Sequence, residues 1–122
     1  YHREMTEILD SLIDPMVIAM HSCTPVFGGV SRPWHVGVLW SEDAASARRV
    51  IAALAADKSL CVGDNQPYSG KQLNATMDRH AEAQGIPYCT VEIRQDQIGT
   101  AAGQARWATL LADVMGRVAL EV

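Results

Sequence analysis

The stretch "MVIAMHSCTPVFGG", residues 16–29, decides how this chain folds. Met16 to Met20 form an apolar run with the length and composition of a buried strand, and the run ends in His21, Ser22, Cys23 and Thr24 before a proline and two glycines. A strand that leads out of an interior into an imidazole, a hydroxyl and a thiol sets polar atoms where open α/β sheets bind ligands, beyond the carboxyl ends of their strands. Upstream, Met5, Leu9, Leu12 and Ile13 recur at helical spacing, and Pro15 stops that helix. The chain therefore opens as helix, strand and polar turn.

Downstream the same alternation continues. Trp34 to Trp40 reads as a second strand after a glycine-rich loop, and Ser41 is placed to cap a helix that runs to about Lys58, with Glu42 and Asp43 in its first turn. Leu60 to Val62 reads as a short buried strand, 63–70 as a polar loop, and 73–84 as a helix closed by Gly85. Tyr88 to Ile93 is a further strand. A last helix over 101–119 carries Trp107, Leu110, Leu111, Val114 and Val118 on one stripe. Strands alternating with helices predict a layered α/β/α fold with a mostly parallel sheet, in one piece over residues 1–122.

Composition narrows the function classes. With 14 acidic against 10 basic side chains in 122 residues and no cationic run, the chain lacks the electrostatic footprint of a nucleic-acid binder. No apolar stretch approaches the roughly 20 residues a membrane-spanning helix needs. Cys23, Cys61 and Cys89 are odd in number and far apart, which fits a reducing cytoplasm better than a disulfide framework. The first residue, Tyr1, lies within the opening helical pattern, which suggests a fragment or a processed piece.

Glu92, in "TVEIRQD", is the strongest single anomaly, because a strand buried on both faces should be apolar almost throughout. In an extended segment Thr90, Glu92 and Arg94 share one face. Glu92 is then either an ion-pair partner, of Arg94 or of a helix, or a general base. His21 is either a histidine bonded to a backbone carbonyl or a metal ligand. Cys23 is a small buried side chain or a nucleophile with His21 or His35 as its base. His80 reads as a surface or capping histidine, Trp34 and Trp40 as core, and Gly28-Gly29 lacks the lysine and spacing of a phosphate loop.

Taken together, "HSCTPVFGGVSRPWHVGVLW", "VGDNQPYSG", "TMDRHAEAQGIPYCTVEIRQD" and "GQARWATLLADVM" resemble the C-terminal half of the N-formylglutamate amidohydrolase family. That family is related in fold to the zinc carboxypeptidases. The resemblance implies zinc-dependent hydrolysis of N-formyl-L-glutamate to formate and glutamate in histidine degradation, with Zn2+ as cofactor, His21 as a zinc ligand and Glu92 as general base. It also implies contacts of Arg32, Asn65, Tyr68 and Arg94 with a small-molecule N-acyl amino acid. The remaining zinc ligands, a histidine and an acidic residue, belong in the family to a segment N-terminal to this one. Residues 1–122 are then the C-terminal part of a single amidohydrolase domain. The competing expectations are a metal-free fragment or pseudoenzyme working in a larger assembly, a hydrolase of another N-acylated amino acid, and a cysteine hydrolase.

Overall fold

The structure is a computed structural model that describes residues 2–12, 15–41, 43–67 and 85–121. The expected helix over 73–84, His80 and Tyr68 lie outside the described residues. The elements in chain order are α1 (His2–Ser11), β1 (Val17–Cys23), β2 (Val26–Phe27), β3 (Val30–Ser31), β4 (Val36–Leu39), α2 (Ala44–Ala55), β5 (Val62–Asp64), β6 (Tyr88–Arg94), a 3-10 turn (Gln95–Gln97) and α3 (Ala101–Glu121). Four strands form one sheet in the order β1-β6-β4-β5, and β2 and β3 form a separate hairpin.

The sheet is mostly parallel, as expected. β1 pairs with β6 and β4 with β5 in parallel, while β4 and β6 meet antiparallel at the centre. α2 makes the crossover that parallel neighbours β4 and β5 require. On one face, Val36, Val38, Cys89, Val91 and Ile93 meet Ala47, Val50 and Leu54 of α2 and Trp107, Leu111, Val114 and Val118 of α3 in a single buried cluster. The 4-3-4 spacing of the α3 residues places them on one stripe. On the other face, Leu9 of α1 packs on Val17 and Tyr88. The layering is thus helix, sheet, helix.

Three local readings change. The polar residues after Met20 do not leave the strand, because β1 pairs with β6 through His21, Ser22 and Cys23 as far as Arg94. The short strand after α2 is Val62–Asp64, shifted toward the loop from the expected Leu60 to Val62. The cap of α2 is Asp43, two residues after Ser41: its Oδ1 accepts the Ser46 N–H at 3.0 Å, and its Oδ2 accepts the Tyr88 N–H at 3.0 Å. Asp43 therefore fastens the start of a helix to the start of β6.

Burial alone would raise the Asp43 carboxyl, but the Ser46 and Tyr88 donors and the Arg49 charge outweigh it and hold the group below the ordinary carboxylate range. A folded-state value below the unfolded one adds stability above about pH 4 that is lost as the pH falls through the folded value. Asp43→Ala should cost about 1–2 kcal/mol in urea unfolding at neutral pH. The deficit should shrink below about pH 4. An unchanged urea midpoint at pH 7 would remove the clamp.

Candidate functional site

The strand register assembles the site. His21 stands opposite Glu92, Glu92 opposite Gly37, and Gly37 opposite Gly63. Neighbours in register share a face, so imidazole, carboxylate and two hydrogen side chains form one row across four strands. It lies on the α1 side, because Val17 and Tyr88 fall in the same alternation as His21 and Glu92. His21 is exposed on the edge strand, whereas Glu92 is 2 % exposed at the middle of the sheet.

The two glycines explain how a loop reaches this row. A Cβ at Gly37 would land on the Gln66 carbonyl oxygen, and one at Gly63 would lie 2.9 Å from Gln66 Cβ and 3.0 Å from Trp34 Cδ1. Residues 65–67 therefore press directly on bare backbone, as glycine inside a strand allows. Asn65 turns the chain there with φ 53°, a conformation asparagine tolerates better than most residues. Its Oδ1 accepts the Trp40 N–H at 2.8 Å, and its N–H donates to the Val38 carbonyl at 2.9 Å. Trp40 Nε1 in turn donates to Asp64 Oδ1 at 2.6 Å. Through these contacts Asn65 ties the end of β4 to the loop beside β5.

Arg94 has a different partner from Glu92, the one its spacing suggested. Its Nε and Nη2 donate to the two carboxylate oxygens of Asp96, and its Nη1 donates to the Arg32 carbonyl at 2.9 Å. The Asp96 hydrogen bonds raise the guanidinium and depress the carboxyl, which leaves a locally neutral pair. The Arg94 N–H also bonds the His35 carbonyl at 3.0 Å. With all three guanidinium nitrogens engaged within the chain, Arg94 fixes the segment carrying Arg32.

Arg32 sits at the foot of the β2–β3 hairpin. Its Nη1 donates to the Thr24 carbonyl at 3.2 Å, and its guanidinium lies 5.1 Å from the centre of the Phe27 ring, within cation–π range. His35 Nδ1 accepts the Cys61 N–H at 2.8 Å, which occupies one of its two ligating nitrogens. Burial raises the Cys23 thiol, the Glu92 charge raises it further, and Arg32 and Arg94 oppose both. Burial also pushes Cys89 up to about 12. Cys23 is thus a buried thiol held protonated, the opposite of an activated nucleophile.

His21, Cys23, Glu92, Arg32 and Arg94 form one neighbourhood. The sequence reading missed the hairpin, the Arg94–Asp96 pair and the glycine row. The glycine row had a signal, since "VGV" and "VGD" each place an isolated glycine inside a strand pattern. Among the described residues no group of three or more His, Cys, Asp or Glu side chains is disposed to hold a metal ion. They supply His21 as one candidate ligand and do not by themselves make a zinc site, which takes three protein ligands. No helix among the described residues is long and apolar enough to cross a membrane.

Sheet and site together define a layered α/β protein that gathers its polar residues on one face of a mostly parallel sheet, around a buried carboxylate. The profile of the N-formylglutamate amidohydrolase family matches residues 1–99, and the chain belongs to that family. Among solved structures it is similar to gene product Atu2144 from Agrobacterium tumefaciens, with 30% sequence identity and a TM-score of 0.86. The match covers 99% of this chain and 50% of that one, so the chain spans half the length of that relative. No curated protein matches.

Proposed function

We propose that this chain carries the general base of an amidohydrolase that removes the formyl group from an N-formyl amino acid of the N-formyl-L-glutamate type. The observation that supports this reading is the juxtaposition of Glu92 and His21. In a family named for amide hydrolysis, a carboxylate buried in mid-sheet stands one strand from an exposed imidazole on the same face.

Glu92 takes a proton from the attacking water as its oxygen adds to the formyl carbon, and returns it to the amine nitrogen as the C–N bond breaks. Formate and the free amino acid are the products. Arg32 receives the substrate carboxylate, which suits the planar fork of a guanidinium. Arg94 positions the Arg32 segment, and Asn65 the loop over the glycine row. His21 would be one ligand of a zinc ion, which would polarise the formyl carbonyl and acidify the attacking water.

Zinc content after equilibration with Zn2+, measured by elemental analysis on a longer protein that includes the segment expected to supply the other ligands, tests His21. The expected result is bound metal that falls at least about tenfold in His21→Ala, as losing a direct ligand should when even the loss of an outer partner costs that much. Equal zinc in both proteins removes His21 from the role.

A further inference from the structure

The 3-10 turn after β6 is held at both ends. It follows Arg94 directly, and α3 closes on it from the other side, so near that a Cβ at Gly103 would land on the Gln97 carbonyl oxygen. Thr100 Oγ1 accepts the Gly103 N–H at 3.0 Å, the Thr100 carbonyl accepts the Gln104 N–H at 2.9 Å, and Gln104 Nε2 donates to the Ile98 carbonyl at 3.1 Å. The first turn of a helix whose Trp107 and Leu111 lie in the core thus grips the turn that carries Asp96. The Asp96 carboxylate has a defined place relative to the sheet.

That carboxylate meets Arg94 with both oxygens. Arg94 Nε and Nη2 donate to Oδ1 and Oδ2 at 2.5 and 2.9 Å, the bidentate form that adds direction to charge. Most ion pairs at a protein surface are worth little, because two long side chains must be ordered in water. Here Arg94 is only 15% exposed, and the aspartate reaches it on a short stem from a held turn. Two donors engaged by one carboxylate fix the plane of the guanidinium. Its Nη1 then donates to the Arg32 carbonyl at 2.9 Å, 62 residues away in sequence.

Arg32 is the end of this relay. Its N–H donates to the Pro25 carbonyl at 2.8 Å and its carbonyl takes the Arg94 bond, so its backbone is pinned on both sides. Its guanidinium bonds the Thr24 carbonyl at 3.2 Å, just past the end of β1, and interacts with Cys23, on which the Glu92 charge also acts. Arg32 therefore reaches the row of His21 and Glu92 from a backbone whose position Asp96 sets through Arg94.

From this relay we infer that Asp96 is a positioning residue for substrate binding: through the Arg94 guanidinium it fixes the Arg32 backbone, and with it the place where Arg32 receives the carboxylate of an N-formyl amino acid. The inference rests on the proposed role of Arg32 and deepens it. Asp96 acts on the substrate through the two arginines and on the general base not at all, so its loss is read in binding rather than in chemistry.

The test is a double-mutant cycle on Asp96 and Arg32 in the longer protein used for the zinc measurement, with Zn2+ present and N-formyl-L-glutamate as the probe. Asp96→Asn removes the charge and one of the two accepting oxygens. It should raise KM about fivefold or more, within the range that coupled neighbours show, with kcat changed less than about twofold. Asp96→Glu, which can re-form the pair, should return KM to within about twofold of the parent value. In an Arg32→Gln background Asp96→Asn should raise KM no further, whereas a residue that only stabilises the fold would add its effect to that of Arg32. A KM in Asp96→Asn equal to or below the parent value overturns the inference, as do additive effects in the double variant and a loss confined to kcat. Calorimetric titration of the same proteins in a Glu92→Gln background, where turnover is slow, reads the coupling without formate release. If the parent protein releases no formate yet the dissociation constants show the coupling, the amidohydrolase reading fails and the positioning role stands. If the parent protein neither turns over nor binds the compound, Arg32 receives no carboxylate and both fall.

Discussion

Glu92→Gln lowers formate release from N-formyl amino acids by about a hundredfold or more, the loss expected when a general base is removed, while the fold keeps its stability within about 1 kcal/mol. The two halves of this expectation decide between the roles open to the residue. A carboxylate held in mid-sheet for structural reasons would show its value in unfolding, because breaking a buried ion pair costs several kcal/mol. A carboxylate retained for catalysis shows its loss in turnover instead, since glutamine fills the same volume and keeps one accepting oxygen for a hydrogen bond the carboxylate makes. Arg94, the cation nearest in sequence, does not enter the balance through an ion pair with Glu92, since its pair is with Asp96. Formate release measured with Zn2+ present and a urea melt of the same two proteins give both numbers. Near-normal turnover removes Glu92 from the reaction, and a melt lowered by several kcal/mol with turnover lost makes it a structural residue.

How much of this was legible in the sequence depends on the length over which each pattern acts. The α/β class follows from long apolar periodicities, and the stripe of Trp107, Leu111, Val114 and Val118 is buried as its spacing predicts. Glu92 stood out because one acid in a seven-residue strand breaks a pattern that the other residues state clearly. The β2–β3 hairpin left no such trace, since strands of two residues have no measurable period and their side chains are exposed. Ser41 and Asp43 are both good N-caps, and the choice fell to Asp43 through the Tyr88 N–H, 45 residues away in sequence. The partner of Arg94 was equally hidden. Glu92 and Asp96 stand two residues either side of it, and the 3-10 turn after β6 carries Asp96 back to the guanidinium. The antiparallel meeting of β4 and β6 is likewise a property of chain path, which no local pattern encodes.

Gly37→Ala should cost the fold about 3 kcal/mol or more, at or above the upper end of what one inserted methyl usually does in a close-packed site. The reason is the kind of atom it meets. The new Cβ would land on the Gln66 carbonyl oxygen, part of a backbone that cannot rotate aside as a flexible side chain would. Either β4 withdraws from between β6 and β5, which breaks ladders on both sides, or residues 65–67 lift off the sheet. The second route releases the Asn65 bonds to Trp40 and Val38 and removes Pro67 from the concavity it lines with Phe27, Val30, Arg32 and Trp34. A urea melt reads the first consequence, and the Trp34 indole shift reads the second. Gly63→Ala, which meets Gln66 Cβ at 2.9 Å, Trp34 Cδ1 at 3.0 Å and the Gln66 carbonyl oxygen at 3.1 Å rather than landing on that oxygen, should cost less and disturb the indole directly. If Gly37→Ala melts like the parent protein, the loop does not rest on the glycine row. The close approach that holds residues 65–67 over the face carrying Glu92 and His21 would then have to come from elsewhere.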